Sequence, residues 1–265
     1  MITFYEVGEE SSAVVDDVRR IIPLFAVHNF RDLGGYPTVD GRATRWRTLF
    51  RADGLYRSTK EDASRILELG VRTVIDLRTE QEVTTRGKFP LAGQGVAYHH
   101  LPIIDATWGE TATLETDDAV EFLVWAYREM LNGAGDKFSD AIRLLAHQQT
   151  LPAVFHCAAG KDRTGLLAAL MLGLLGVRNE TIAADYGLTQ SAMLRLVEWA
   201  SVHQPELAER YASMPARFAA ADPRAMMIIL EQLTALHGTV RNYVREIGVE
   251  DETIWALERS LLTTR

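Results

Sequence analysis

The only cysteine of the chain, Cys157, is followed after five residues by Arg163. Alone this spacing is a weak signal, but its surroundings strengthen it. A short apolar run at 152–156 predicts a strand before the cysteine, and Arg163-Thr164-Gly165 opens a predicted helix after it. A strand, a tight loop and a helix N-terminus direct backbone N–H groups and the positive end of the helix dipole at one point, which suits a phosphate group. The sequence therefore predicts a phosphate-binding loop.

The residue types of this loop could together hydrolyse a phosphate ester. Arg163 offers a bidentate fork that a lysine would not match, and the positive field favours the thiolate form of Cys157. The thiolate would attack phosphorus in line and form a phosphocysteine, which water then hydrolyses. Thr164 could donate its hydroxyl to the thiolate, or it could only cap the first helical turn. The backbone amides that could bind the phosphoryl oxygens belong to Ala158, Ala159, Gly160, Lys161, Asp162 and Arg163.

The departing oxygen needs a proton, and Asp162 is the first candidate for the acid that supplies it, because it lies inside the loop. The alternative is an acid that only complements the helix dipole. Lys161 would add a mobile positive charge at the mouth of the site, or it would be a solvated loop lysine. Side chains alternate along a strand, so we expect His156 to point away from Cys157, to be buried and to hydrogen-bond the loop backbone.

The elements that must position the loop alternate between strands and helices, which predicts an α/β fold with a central, mostly parallel sheet flanked by helices. One helix should begin at Ser58, whose capping-box partner is Glu61, and should end at Gly70. Another should begin at Asp222 and stop at Gly238. The remaining predicted strands cover 48–51, 71–77, 95–101 and 152–157, and the remaining predicted helices cover 120–131, 138–147, 163–175 and 250–262.

The chain contains no long linker, repeat or low-complexity tract, so we expect residues 1–265 to form a single phosphatase domain. The helix-rich stretch at 187–221 is either a lid or an insertion over the site, or part of the helical layer. A net charge of −8 argues against nucleic acid as a partner. The first residues do not resemble a signal peptide, and no apolar run is long enough to span a bilayer.

From these features we expect no stable membrane insertion and a cytoplasmic protein, although secretion without a signal peptide would leave the same sequence. A single cysteine excludes an internal disulfide and a metal site built from several thiolates. Cysteine, arginine and backbone amides already supply the nucleophile and the charge stabilisation. We therefore expect neither a metal nor a cofactor. The sequence says nothing about the oligomeric state.

The loop at 156–165, HCAAGKDRTG, resembles that of the protein-tyrosine-phosphatase superfamily, and specifically the bacterial lipid-and-protein phosphatases of the mycobacterial phosphatase B type. Two further motifs occur in the family's order, NFRDLGG at 29–35 and Asp-Leu-Arg at 76–78. The resemblance implies the family's sheet-and-helix fold, often with a helical lid. It implies Cys157 as nucleophile, Arg163 as phosphate binder and Asp162 as acid. It also associates the chain with phosphorylated proteins and phosphoinositides as substrates.

Other tyrosine phosphatases carry their acid in a Trp-Pro-Asp loop, which this sequence lacks. That absence fits the resemblance and supports Asp162. Asp76 is the second candidate, because the resemblance places it beside the loop. The alternative for Asp76 is an ion pair with Arg31, Lys161 or another nearby cation.

Three other interpretations compete with a phosphatase. An inactive module could bind phosphate or a phosphoinositide without turnover, but all of the expected catalytic residues are present. A sulfurtransferase would not need arginine followed by Thr-Gly on a helix, and an arsenate reductase generally needs further cysteines. Finally, Cys157 could be an ordinary core residue. Among phosphatase substrates we rank phosphotyrosine proteins first and phosphoinositides second, and a small phosphorylated metabolite or nucleotide stays open.

Overall fold

The computed structural model describes residues 15–107 and 114–263, and a five-stranded sheet lies at its centre. The strands of this sheet are β1 (Arg31–Asp32), β3 (Leu49–Ala52), β4 (Thr73–Asp76), β5 (Ala97–His100) and β6 (Ala153–His156), while β2 (Ala43–Thr44) and β7 (Leu262–Thr263) pair separately. The strand order is β1-β3-β6-β4-β5, in which β1 is antiparallel to β3 and every other pair is parallel. The expectation of a mostly parallel sheet is thus confirmed.

Helices cover both faces of the sheet. Alternate strand residues point to opposite faces, and accordingly Ile75 and Phe155 join one apolar core whereas Val74 and Val154 join the other. The described helices are α1 (Lys60–Glu68), α2 (Glu80–Arg86), α3 (Ala119–Gly133), α4 (Gly135–Ala146), α5 (Asp162–Leu174), α6 (Asn179–His203), α7 (Pro205–Ala212), α8 (Ala216–Ala219), α9 (Pro223–His237), α10 (Val240–Glu246) and α11 (Asp251–Leu261).

The central strand carries the predicted loop. β6 lies between β3 and β4, ends at His156, and is followed by the loop and then by α5. Ligands of such sheets bind at the carboxyl ends of the strands, so the topology places Cys157 at the edge where a site is expected. Eleven residues of α5 are buried, which fixes this helix as a rigid support behind the loop.

One predicted helix start is wrong by a residue. Thr59 caps α1, since its hydroxyl accepts from the amide of Asp62, and the Asp62 carboxylate accepts in return from the amide of Thr59. Ser58 instead follows a 3₁₀ turn, and Glu61 is not the capping partner. Both pairs have the same three-residue spacing, and the preceding turn decides between them. Asp222 as cap of α9 and Gly238 as its stop are confirmed.

The stretch at 187–221 begins inside α6, which runs unbroken from residue 179, and continues through α7 and α8. Its first part packs in the helical layer, because Thr189, Ala192 and Met193 are buried. The later helices have no buried residues. The first part of this stretch therefore lies in the helical layer, whereas a lid or insertion over the site stays a prediction. Within residues 15–107 and 114–263, no helix is both long and apolar enough to cross a bilayer.

Candidate active site

The loop after β6 forms one wall of a cavity of about 550 Å³. Cys157 and Arg163 both line it, and so do Ala158, Ala159, Lys161 and Asp162. The structure therefore brings together the predicted nucleophile and the predicted phosphate-binding residues. Gly160 has φ +65°, and a Cβ atom there would lie 2.5 Å from the carbonyl oxygen of Ala52, so only glycine fits this position.

Hydrogen bonds accepted by its carbonyl groups hold the loop in place. The carbonyl of Ala158 accepts from the amide of Gly54, and Asn29 donates its side-chain amide to the carbonyls of Ala159 and Gly160, each at 3.1 Å. In the part of the chain that the structure describes, the amides of residues 158–161 donate to no backbone carbonyl. No described side chain caps the N-terminus of α5 either. These free donors are what an anion needs.

A buried ion network lies beneath the loop. Asp185 of α6 accepts from Arg31 Nε at 2.9 Å and from Arg51 Nη1 at 2.7 Å, and Tyr36 donates its hydroxyl to the same carboxylate. Arg51 also donates to the carbonyl of Gly160 at 2.8 Å. Burial raises the pKa of Asp185, but the Arg31 and Arg51 charges outweigh it and hold the pKa well below its usual range. The network thus fixes the loop through charged groups.

Sequence reasoning did not find Arg51 and Asp185. Both are 1% exposed, and they lie 134 residues apart in the sequence. No local pattern marks either of them. The motif at 29–35 carries part of the family resemblance, and its Asn29 and Arg31 both belong to this support.

Glu82 of α2 pairs with Arg163, with Oε2 2.5 Å from Nη1 and Oε1 3.2 Å from Nη2. Burial raises the pKa of Glu82, yet its hydrogen bonds with Arg163 and its other contacts lower the pKa to about 2. The arginine is therefore held in one orientation before a substrate arrives. Sequence reasoning missed Glu82, although its capping box with Thr79 was a readable signal for α2.

The two candidates for the general acid lie in different surroundings. Asp162 lines the cavity with its side chain 20% exposed. Asp76 is fully buried, where it accepts from Arg78 and, at 2.7 Å, from the Tyr98 hydroxyl. Burial raises the pKa of Asp76, but nearby His156 and the hydrogen bonds from Arg78 hold it well below its usual range. The ion pair weighed for Asp76 exists, with Arg78 as the cation.

The expectation for Lys161 as a mobile charge at the mouth is wrong. The residue is 2% exposed, and its ammonium donates to the carbonyls of Phe218 at 2.6 Å and Ala220 at 2.8 Å. A buried ammonium requires such acceptors, and the end of α8 provides them. Lys161 therefore ties the phosphate-binding loop to the stretch at 187–221.

His156 and Thr164 complete the predicted set. His156 is fully buried, and its Nδ1 lies 3.1 Å from the carbonyl of Cys157, which confirms the predicted contact with the loop backbone. Burial lowers the pKa of His156, although the nearby Asp76 charge acts in the opposite direction. Thr164 is also fully buried, and its hydroxyl has no hydrogen-bond partner among the described residues. That hydroxyl is available to a ligand or to the thiolate.

The far wall of the cavity comes from α2 and the stretch at 187–221. It combines apolar and aromatic side chains with the guanidinium groups of Arg86 and Arg210, both of which also line a neighbouring cavity of about 500 Å³. The apolar and aromatic residues of this wall are Met193, Tyr211, Met214, Pro215 and Phe218. Among the described residues, no group of three or more His, Cys, Asp and Glu side chains is arranged to hold a metal ion.

Comparison with known proteins places these features in a family. A sequence model described as "Tyrosine phosphatase family" matches residues 22–263. The chain belongs to the tyrosine phosphatase family. It is similar to the triple specificity protein phosphatase PtpB of Mycobacterium tuberculosis, with 31% identity over 60% of this chain and 65% of the relative. It is also similar to a tyrosine-protein phosphatase of Nostoc commune, with 26% identity over 78% of this chain and 72% of the relative.

The chain thus spans less than two thirds of the length of the mycobacterial relative. Among solved structures it is similar to the core catalytic domain of the PP-IP phosphatase SIW14 from S. cerevisiae. That superposition has a TM-score of 0.33 and 16% identity, and it covers 82% of this chain and 96% of the yeast chain.

Proposed function

We propose that this family member hydrolyses phosphate monoesters through a phosphocysteine on Cys157. One observation carries the proposal most strongly. The single cysteine lies in the same cavity wall as Arg163, at the uncapped N-terminus of α5, and the loop between them has its carbonyls bonded away from the cavity. A thiol, a fixed guanidinium and free amides around one cavity are suited to bind and attack a phosphoryl group.

The residues then divide the reaction between them. The Cys157 thiolate attacks phosphorus, the S–P bond forms, and the P–O bond to the leaving group breaks while Asp162 donates its proton to the departing oxygen. Arg163 and the loop amides stabilise the three phosphoryl oxygens. Water then attacks the phosphocysteine with Asp162 accepting its proton, so that inorganic phosphate and the thiolate are released. The Thr164 hydroxyl stabilises the returning thiolate.

We prefer Asp162 over Asp76 as the acid. Asp162 reaches the cavity, whereas the Asp76 carboxylate is fully buried, accepts hydrogen bonds from Arg78 and Tyr98, and lies 3.5 Å from His156 Nε2. A carboxylate held as an anion in this way is a poor proton donor at neutral pH. Asp76 therefore acts as a support for the strand end beside the loop.

Phosphotyrosine-containing proteins are the first substrate class we propose. Tyr211, Phe218 and the methionines beside them give the cavity an apolar wall against which a phenyl ring can pack. Phosphoinositides are the second class, favoured by the additional cations Arg86 and Arg210. The name of the mycobacterial relative, a triple specificity phosphatase, agrees with such breadth.

We further propose that residues 1–265 form one domain that works in the cytoplasm. Both apolar cores are built on opposite faces of one sheet, which supports a single folding unit. The free thiol of Cys157 must stay reduced for the proposed reaction, and the cytoplasm is a reducing compartment.

The test compares the natural chain with Cys157→Ser and Asp162→Asn on p-nitrophenyl phosphate, a phosphotyrosine peptide and a phosphoinositide panel, with EDTA present throughout. We expect turnover by the natural chain, none by Cys157→Ser, and a loss in Asp162→Asn that is largest on poor leaving groups. An unchanged Asp162→Asn would return the acid role to Asp76 or water. If the natural chain bound phosphate without turnover on any substrate, the chain would be a binding module.

A further inference from the structure

Two buried tyrosines from different helices form a hydrogen-bonded row that ends at the proposed acid. Tyr127 of α3 is fully buried and donates its hydroxyl to Asp162 Oδ1 at 2.8 Å. Tyr186 of α6 is 1% exposed, and its hydroxyl oxygen lies 2.6 Å from that of Tyr127. The two rings meet edge to face with centroids 6.0 Å apart, so the packing fixes both hydroxyls.

The chemistry of the groups sets the direction of the hydrogen bonds. A tyrosine carries one O–H donor, and Tyr127 uses its donor on Asp162. Tyr186 must therefore be the donor in the bond between the two hydroxyls. Burial, followed by the nearby Asp162 charge, raises the pKa of Tyr127 well above its usual value, and both also raise the pKa of Tyr186. Both tyrosine hydroxyls therefore keep their protons throughout the ordinary pH range, and the hydrogen bonds run from Tyr186 to Tyr127 and from Tyr127 to Asp162.

Two other charged neighbours of Asp162 do not hold its carboxylate as Tyr127 does. The Lys161 ammonium is 3.4 Å from Asp162 Oδ1, beyond the usual length of a charged hydrogen bond, and it is already bonded to the end of α8. The Arg163 guanidinium is directed to Glu82. Asp162 Oδ2 has no hydrogen-bond partner in the described part of the chain. Tyr127 thus fixes one carboxyl oxygen and leaves the other to carry the transferred proton.

We propose that Tyr127, supported by Tyr186, is a positioning residue that orients Asp162 for proton transfer. The inference rests on the proposed function, in which Asp162 is the acid. Neither tyrosine is among the residues that line the cavity, so the effect must pass through the carboxylate. Without the Tyr127 hydroxyl, Asp162 would rotate freely or turn toward Lys161, and fewer of its conformations would place a proton at the leaving oxygen.

The experiment measures kcat/KM for Tyr127→Phe on a series of aryl phosphates whose leaving phenols differ in acidity. On phenyl phosphate, a poor leaving group, we expect a loss of about tenfold, as for a hydrogen bond to a charged group. On dinitrophenyl phosphate, whose leaving group needs no proton, the loss should stay below about twofold. The inhibition constant of inorganic phosphate should not change, because the binding loop is untouched.

Tyr243→Phe is the matched control. Its hydroxyl is also buried and donates to a backbone carbonyl, that of Leu131, so this variant loses a comparable hydrogen bond in the core without contact with Asp162. We expect a similar loss of stability and no change in the leaving-group dependence. Tyr186→Phe should act in the same direction as Tyr127→Phe, with a smaller loss, and it carries the test if Tyr127→Phe fails to fold.

Asp162→Asn separates this inference from the proposed function. If Asp162→Asn depends steeply on the leaving group while Tyr127→Phe loses the same factor on every substrate, then Tyr127 is only structural and the inference is overturned, with the acid assignment intact. If Asp162→Asn shows no such dependence, the acid assignment fails first, and the positioning role fails with it. A steep dependence in both, intermediate for Tyr127→Phe, supports the inference.

Discussion

Asp185→Asn should destabilise the fold more than any other isosteric change in the buried network beneath the loop. The carboxylate is the common partner of Arg31, Arg51 and Tyr36, and it is 1% exposed. Burial and repulsion from Arg31 already lower the pKa of Arg51 to about 10, although Asp185 raises it. Asparagine keeps the shape but removes the only carboxylate among the described residues that forms an ion pair with these two buried guanidinium groups.

Removing one partner of a buried ion pair leaves the other charge uncompensated, so the free energy of unfolding should fall by about 3 to 5 kcal/mol. With a urea m-value of about 3 kcal/mol/M, the unfolding midpoint should fall by about 1 to 1.7 M. The measurement is urea unfolding followed by the fluorescence of the five tryptophans. Activity should fall as well, because Arg51 donates to the carbonyl of Gly160 in the loop.

Asp251→Asn is the control, because its ion pair with Arg245 is exposed on both sides and should contribute less than about 1 kcal/mol. The pH dependence gives a second check. Since the native pKa of Asp185 is lowered, its contribution is full above the unfolded value of about 3.9 and is lost as the pH falls through the native value. An Asp185→Asn variant within 1 kcal/mol of the natural chain at neutral pH would refute the reasoning.

Three further changes test the loop and its surroundings. Lys161→Met keeps the aliphatic stem but removes the ammonium that donates to the end of α8. Hydrogen exchange of the backbone amides at 213–221 should therefore become about tenfold faster. Unchanged exchange would show that the ammonium does not hold this segment to the loop. Gly160→Ala should lower kcat/KM by about 100-fold, because its Cβ meets backbone at 2.5 Å. Gly41→Ala is its control, because Gly41 also has a positive φ (+87°) but a Cβ atom there would meet no other atom. This variant should lose stability through its backbone conformation alone and should keep full activity. Millimolar peroxide should inactivate the enzyme by oxidising Cys157, with recovery by thiols after brief exposure only, and full activity after treatment would contradict a reactive thiolate.

Local pattern predicted the chemistry of the loop, whereas tertiary contacts decided what supports it. The strand, loop and helix around Cys157 were readable because each has a short-range signal of its own. The partners of the loop were not, because Arg51 and Asn29 donate to the carbonyl of Gly160 from 109 and 131 residues away in the sequence. Lys161 was misjudged for the same reason, since its burial depends on α8, which lies more than fifty residues further along the chain. The helix start at Thr59 was missed because two adjacent capping patterns compete there.

The loop gives up some local stability, because the donors that could bind an anion have no protein partners among the described residues. An ordinary fold would cap the first turn of α5 and pair the loop amides, but here the described structure leaves both without protein partners. The compensation lies on the opposite side of the loop, where the side-chain amide of Asn29 and the guanidinium of Arg51 donate to its carbonyls, and the buried carboxylate of Asp185 holds Arg51 in turn. Rigid support behind free donors is what electrostatic preorganisation requires, because donors that are already fixed need no rearrangement when charge develops on the phosphoryl group.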